Sequence, residues 1–262
     1  MRRLRDIFLP NRPVSFTTAA ALVLLWAAGL LFAWLVTPYE SLPTPREVWS
    51  ALGDLWWNHG LAPELGVTLR LIFQSLVLTV VIAMALSYAV VVPFFRPLIV
   101  AVSKLRFLGL TGLVFPFTLW TGGGYALKVA LLTFGMVSFF VTSMAQVVVE
   151  IPRISYDHMR VLGAGELRIL YEVVVRGTLD KALDVLRQNA AIGWALITMV
   201  EGISRSEGGI GALILNQNKH FRLAEVYALL FLILAIGMAI DYGMGVLVRV
   251  VCPYALLDRV KR

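Results

Sequence analysis

Apolar runs about as long as a bilayer is thick recur along this chain, and they restrict it to folds surrounded largely by lipid. Hydrocarbon about 30 Å thick takes about 20 helical residues to cross. No backbone group can go unsatisfied there, so each run has to be helical. The expected spans are Thr17–Val36, Gly66–Val92, Pro97–Trp120, Tyr125–Val149, Leu183–Ile203 and Ala224–Val248, six in all. Hydrophobic residues make up 59% of the 262 positions, above the roughly 45–50% of soluble domains, so the excess has no soluble core to fill. The fold class expected is all-α, a polytopic membrane protein of six transmembrane helices.

Charge distribution sets the expected orientation. The first run follows Arg2, Arg3, Arg5 and Arg12 without a small-residue cleavage site, which reads as a retained helix and not a signal peptide. With a cytoplasmic N-terminus, the inner segments hold Arg96, Lys104, Arg106, Arg153, Arg160, Arg168, Arg176, Lys181, Arg187, Arg249, Arg259, Lys261 and Arg262 besides those four. The outer segments hold Arg46, Arg205, Lys219 and Arg222, so the bias is seventeen against four. Both termini are expected in the cytoplasm. The net charge of +7 is then a topology signal and gives no reason to invoke nucleic acid.

The expected organisation is a cytoplasmic tail at 1–16, a first transmembrane helix at 17–37 and an outer segment at 38–63. A five-helix core at 64–250 and a cytoplasmic tail at 251–262 complete it. In the outer segment Thr44-Pro45-Arg46-Glu47 has the pattern of a capping box with proline at the first helical position. Val48, Leu52, Leu55 and Trp56 then share one face of a short surface helix, and Trp49, Trp56 and Trp57 suit headgroup depth.

Several kinds of chemistry are excluded. A lone cysteine, Cys252, rules out an internal disulfide or a multi-cysteine zinc site, and the three histidines are scattered. None of the five lysines precedes Ser or Thr, as a nucleotide-binding loop requires. Gly202-Ile203-Ser204-Arg205-Ser206 lacks the second glycine of a nucleophile elbow. Catalytic residues and metal ligands are therefore expected to be absent. Gly122-Gly123-Gly124 and Gly208-Gly209-Ile210-Gly211 read as turns between spans in preference to anion nests. Among ionisable residues inside spans, Arg70 and Lys128 lie where they can snorkel outward. Glu201 and Asp241 are open to a structural or a transport role, and Asp241 shares a helical face with Arg249.

One segment, 151–182, is densely charged without being a tail or a linker. Asp157 is placed in the first turn of a short helix, Gly163-Ala164-Gly165 breaks it, and a second helix begins at Glu166. Leu167, Leu170, Tyr171 and Val174 form an apolar stripe at α-helical spacing, suited to packing on the spans. Two short angled helices on a cytoplasmic face make a plug for a groove on a partner.

At these residues the chain resembles the permease subunits of type I ABC importers. Their cytoplasmic loop carries Glu-Ala-Ala, three residues, then Gly, and later Ile-x-Leu-Pro. Asp157-His158-Met159 stands at the triplet, Gly163 at the glycine and Val173-Val174-Val175-Arg176 at the closing element. Trp194, Glu201, Gly208-Gly209-Ile210-Gly211 and Asp241 follow in the order and spacing of the nitrate, taurine and aliphatic-sulfonate branch. Leu42-Pro43-Thr44-Pro45 and Pro116-Phe117-Thr118-Leu119-Trp120 with Gly122 are similar to two of its outer segments.

The resemblance implies two permease subunits, identical or paralogous, that enclose a path for a small solute such as a sulfonate, nitrate, bicarbonate or a vitamin precursor. Each inserts a coupling helix, here Tyr156, Asp157, His158, Met159, Arg160, Gly163 and Glu166, into an ATPase subunit. ATP and magnesium would sit on that ATPase, leaving this chain without a cofactor, and a periplasmic or lipid-anchored binding protein would deliver the solute. Polarity inside spans nominates Gln74, Asn189, Trp194, Thr198 and Glu201 for the path. The competing reading is a stand-alone ion-coupled carrier using Glu201 or Asp241.

Overall fold

The computed structural model describes residues 15–36, 42–204 and 207–253. The basic residues at 2, 3, 5, 12, 205, 259, 261 and 262, and most of both tails assigned to the cytoplasm, lie outside those residues. Every regular element among the described residues is helical. In chain order they are α1 (Phe16–Val36), α2 (Pro45–Asn58), α3 (Leu61–Ala89), α4 (Arg96–Lys104), α5 (Leu110–Thr121) and α6 (Gly124–Val149). Then come α7 (Arg153–Val161), α8 (Glu166–Ile169), α9 (Leu179–Ile203), α10 (Ile210–Lys219) and α11 (Leu223–Val251).

α1, α3, α6 and α11 are long and apolar enough to cross a bilayer, which makes this a membrane protein with four such helices among the described residues. A fifth crossing is possible through a bent pair. The run expected as one span over Pro97–Trp120 is instead Pro93–Phe107 followed by Leu110–Thr121, turned through 114°. The bend falls where Leu108 and Gly109 take extended backbone, with ψ of 124° and 129°. Two consecutive non-helical residues break the hydrogen-bond ladder, and average hydropathy over the run cannot register that break. α9, expected as a span over Leu183–Ile203, is a continuous helix but is less apolar than the other four because Asp180, Lys181, Asp184 and Arg187 occupy its first turns.

The bundle is built around α3, α6 and α9. α3 lays a row of small side chains, Ser75, Thr79, Ala83 and Ser87, at four-residue spacing, and all four are buried. Small residues let helix backbones approach closely, and the α3–α6 contact is the most extensive in the molecule. The apolar interior falls into three clusters. One around Leu71, Leu131, Met136 and Ile197 fills the middle. Another around Val90, Ile99, Phe140 and Val174 closes the end that bears the charged segment. The third, around Val48, Leu55, Leu61 and Ile210, closes the opposite end. The segments read as inner and those read as outer therefore collect at opposite ends of one bundle.

α2 begins with the expected capping box: Thr44 Oγ1 accepts from the Glu47 amide at 3.3 Å and Glu47 Oε2 accepts from the Thr44 amide at 2.9 Å. Its Val48 and Leu55 are buried against the bundle, while Trp49 and Trp57 stand 77% and 82% exposed, as interfacial aromatics would. α1 buries no residue. Its contact with the bundle runs through Trp34, whose ring stacks on Phe231 at 5.6 Å and whose indole N–H donates to the Pro43 carbonyl at 3.0 Å.

Candidate functional site

Two polar regions, one at each end of the bundle, and two cavities between helices carry the residues with chemistry.

The first polar region is the charged segment. Just past the end of α7 and its Leu162 cap, Gly163 adopts φ +76°; its amide donates to the Arg160 carbonyl at 2.9 Å, and the Ala164 amide donates to the Met159 carbonyl at 3.1 Å. A left-handed residue of this kind satisfies the last carbonyls of a helix, and glycine adopts it without a Cβ penalty. Arg160 bridges the break: its guanidinium donates to Glu166 at 3.0 and 3.3 Å and to Asp157 at 3.3 Å. Those hydrogen bonds hold the Glu166 carboxyl below its ordinary range and the Arg160 guanidinium above its own. Burial pushes the Tyr156 phenol up.

Asp157 lies past the first turn of α7, which holds no acidic residue, so the expected dipole role passes to its pairing with Arg160. The expected apolar stripe holds at Leu170 and Val174 and is corrected at Leu167 and Tyr171. Leu167 and Tyr171 are 85% and 57% exposed, whereas Ile169 and Val174 are buried. After α8 the chain continues as a π-helix over Leu170–Arg176, and Gly177 N–H bonds the Glu172 carbonyl at 3.1 Å. A five-residue turn shifts the inward face from α-helical spacing to 169 and 174. The segment therefore docks through Ile169 and Val174, with Tyr156 and Leu170 half-buried, and presents Ile154, Val161, Leu162 and Leu167 outward among Asp157, His158 and Arg168.

The second polar region is a buried staple at the opposite end. Glu201, fully buried on α9, accepts from Thr68 Oγ1 of α3 at 2.7 Å and from the Gly211 amide at 2.7 Å. Thr68 Oγ1 in turn accepts from the Ile210 amide at 2.9 Å, and Glu64 accepts from the Gly209 amide. Lys128, fully buried on α6, donates to the Gly208 carbonyl at 2.7 Å. Gly208 and Gly209 have φ of +72° and +109°, so they do make the expected turn. The amides of Gly209, Ile210 and Gly211 also converge on acceptors, as an anion nest would, but the acceptors are the chain's own Glu64 and Glu201 carboxylates and the Thr68 hydroxyl. Lys128 does not snorkel. It turns inward, where the Gly208 carbonyl accepts its hydrogen bond and the buried Glu201 carboxylate supplies counter-charge.

A cavity of about 560 Å³ lies between α9 and α11. Trp194 and Thr198 line it, and Asp241 and Arg187 close one part of its wall with two hydrogen bonds of 2.6 Å. The partner of Asp241 is thus Arg187 from another helix and not Arg249 of its own. The Trp194 indole is held by the Ile233 carbonyl at 2.9 Å. Gln74 faces a separate cavity of about 510 Å³, where it accepts from the Tyr125 hydroxyl at 3.0 Å. Arg70 stands over that same Tyr125 ring at 5.7 Å. The five residues nominated for a path therefore divide. Trp194 and Thr198 meet at one cavity and Gln74 lines another. Glu201 belongs to the staple, and Asn189 is buried with neither amide atom hydrogen-bonded among the described residues.

Sequence reasoning missed Glu64 and Thr68, which lie 137 and 133 residues before Glu201 and mark themselves only as polar groups at the outer end of a span. Among the described residues no cluster of His, Cys, Asp or Glu could hold a metal ion.

No family model matches this chain, and no curated protein matches it. Solved structures do. The chain is similar to one in the MetNI methionine ABC transporter, in inward-facing conformations, in its selenomethionine-soak CY5 crystal form. The TM-score is 0.59 at 21% identity over 76% of this chain and 98% of that one. Against the native CY5 crystal form of the same transporter the TM-score is 0.60 at 20% identity, over 80% of this chain and 99% of the other. At such identities the likeness is one of fold: an all-helical membrane chain built as in an ABC transporter.

Proposed function

We propose that this chain is the permease subunit of an ATP-driven, binding-protein-dependent importer of a small solute of the sulfonate, nitrate, bicarbonate or vitamin-precursor class. The observation that carries the reading is the outward face of the charged segment. A segment that docks on the bundle through Ile169 and Val174 leaves Ile154, Val161, Leu162 and Leu167 exposed among charges, which is the composition of a surface awaiting a partner. The partner proposed is an ATPase subunit carrying ATP and magnesium. Tyr156, Asp157, His158, Met159, Arg160, Gly163 and Glu166 form the coupling element, and Gly163 is its hinge.

In this reading α9 is the sixth crossing, its polar residues covered by α3, α6, α10 and α11, and the charged segment faces the cytoplasm. A second permease, identical or paralogous, completes the path, and the cavity holding Trp194 and Thr198 faces it. Glu201 and Asp241 are already committed to Thr68, Gly211 and Arg187, which supports the importer over ion coupling at either carboxylate.

The test is co-expression with candidate ABC ATPase subunits from the same organism, followed by purification and transport assay in vesicles. A stable complex and ATP-dependent uptake are expected; absence of a complex, or uptake that ignores ATP and collapses with the proton gradient, sinks the proposal. Gly163→Trp is expected to leave ATP hydrolysis running while uptake falls.

A further inference from the structure

A third cavity, about 480 Å³, opens at the charged end of the bundle, between the ends of α3 and α6 and the beginnings of α4 and α7. Its walls are apolar, with Val91, Val100 and Val149 among them, and its polar lining is Arg96, Arg153 and Tyr156. No carboxylate lines it. Glu150, next in sequence to Val149, is turned to Gln146 at 3.1 Å. Arg96 is anchored by one hydrogen bond from its Nε to the Val90 carbonyl at 3.2 Å, so its terminal nitrogens stay available.

Such a lining asks for a ligand with two characters. Forked guanidinium groups suit a phosphate, which they can grip through paired N–H donors. A freely soluble phosphate, however, would leave Val100 and Val149, 55% and 68% exposed, in water. A phosphodiester that brings its own hydrocarbon satisfies both. The position agrees, because α3 ends at Ala89 and α6 at Val149, where spans reach headgroup depth. Basic pockets between helices on the cytoplasmic side attract acidic lipid headgroups.

We propose that this cavity binds an acidic phospholipid of the inner leaflet, its phosphate between Arg96 and Arg153 and an acyl chain along the valines. Tyr156 belongs to α7, so the headgroup touches the proposed coupling helix and steadies it against the bundle. The choice of leaflet rests on the cytoplasmic placement proposed above for the charged segment.

The probe is phosphatidylglycerol against phosphatidylcholine, offered to the purified full chain and read by native mass spectrometry. Preferential retention of phosphatidylglycerol is expected, falling roughly fivefold for each arginine removed in Arg96→Ala and Arg153→Ala. The Arg96→Lys, Arg153→Lys pair should retain most of it, which separates loss of charge from loss of fold. Equal retention of the two lipids, or unchanged retention in the double alanine variant, overturns the site. Displacement of phosphatidylglycerol by excess inorganic phosphate would make it a soluble-anion site and overturn the lipid assignment.

Orientation is read separately, by labelling Val161→Cys with an impermeant maleimide in sealed right-side-out vesicles. Protection there supports the inner leaflet. Labelling from outside would overturn the leaflet and the proposed function together, whereas protection without lipid preference overturns the lipid site alone.

Discussion

At one end of the bundle Glu201 gives both carboxylate oxygens to Thr68 and Gly211, and Lys128 is sealed behind them. At the other end Asp157, His158 and Arg168 face outward, and four large apolar side chains stand exposed beside them. Both regions are islands of polarity in an apolar chain. In the buried one every named charge has an internal partner, because an unpaired charge in a dry interior is costly. In the exposed one, His158 and Arg168 face outward beside the Asp157–Arg160 pair, and nothing among the described residues covers the apolar groups. A polar region that is complete within its own chain holds structure; one that is incomplete points to something outside it.

The contrast can be broken most forcefully at Glu201. Glu201→Ala leaves the buried Gly211 amide without its acceptor, takes the carboxylate from the Thr68 hydroxyl and removes a counter-charge acting on the buried Lys128 ammonium, and should cost about 3–5 kcal/mol. Thermal unfolding of the purified chain reads this directly, with Glu201→Gln expected to lose less; an unchanged transition would mean the staple is not what holds α10.

Next in size is Gly209→Ala, whose methyl would run into the Glu201 carboxyl from a backbone at φ +109°. The strain alone is worth about 1–3 kcal/mol, measured by the same unfolding curve. At the other end the pair Leu162→Ser and Leu167→Ser should move stability by no more than about 0.5 kcal/mol, as exposed substitutions do. The isolated chain should therefore melt normally while capture of the ATPase is lost. Normal melting with normal capture would remove these leucines from the interface.

The smallest effect is a pH dependence in the Arg160–Glu166 bridge. The folded Glu166 carboxyl lies below its ordinary range because Arg160 donates to it. Its contribution is thus present above the unfolded value and disappears as pH falls through the depressed one. Side chains 51% and 75% exposed keep that contribution slight. Protection of the Gly163 and Ala164 amides, corrected for intrinsic exchange, should decline with acid below the ordinary carboxylate range and return on neutralisation.

Much of the fold was legible in residues alone. α1, α3, α6 and α11 follow from apolar length, and α2 from its capping box, because both signals are local. The bent α4–α5 pair and the π-helix were not, since neither changes composition and each depends on how its neighbours pack. Of the candidate site, the charged segment and Gly163 could be placed by spacing. Its inward face could be placed only in part: Val174 and Leu170 of the expected stripe do turn inward, but Leu167 and Tyr171 stand outward and Ile169 is buried instead, ahead of a π turn that composition does not reveal.

By itself, then, the sequence determined that the chain lives in a membrane, which segments share an end of the bundle, and that one charged stretch has no home inside it. These follow from the transfer of side chains between water and hydrocarbon, a property of each residue in turn. Tertiary structure alone decided which polar groups meet. That Asp241 pairs with Arg187, that Lys128 is buried, and that Thr68 reaches Glu201 across 133 residues are outcomes of helix packing. Hydrogen bonds and ion pairs act over a few ångströms in space, whatever the distance along the chain.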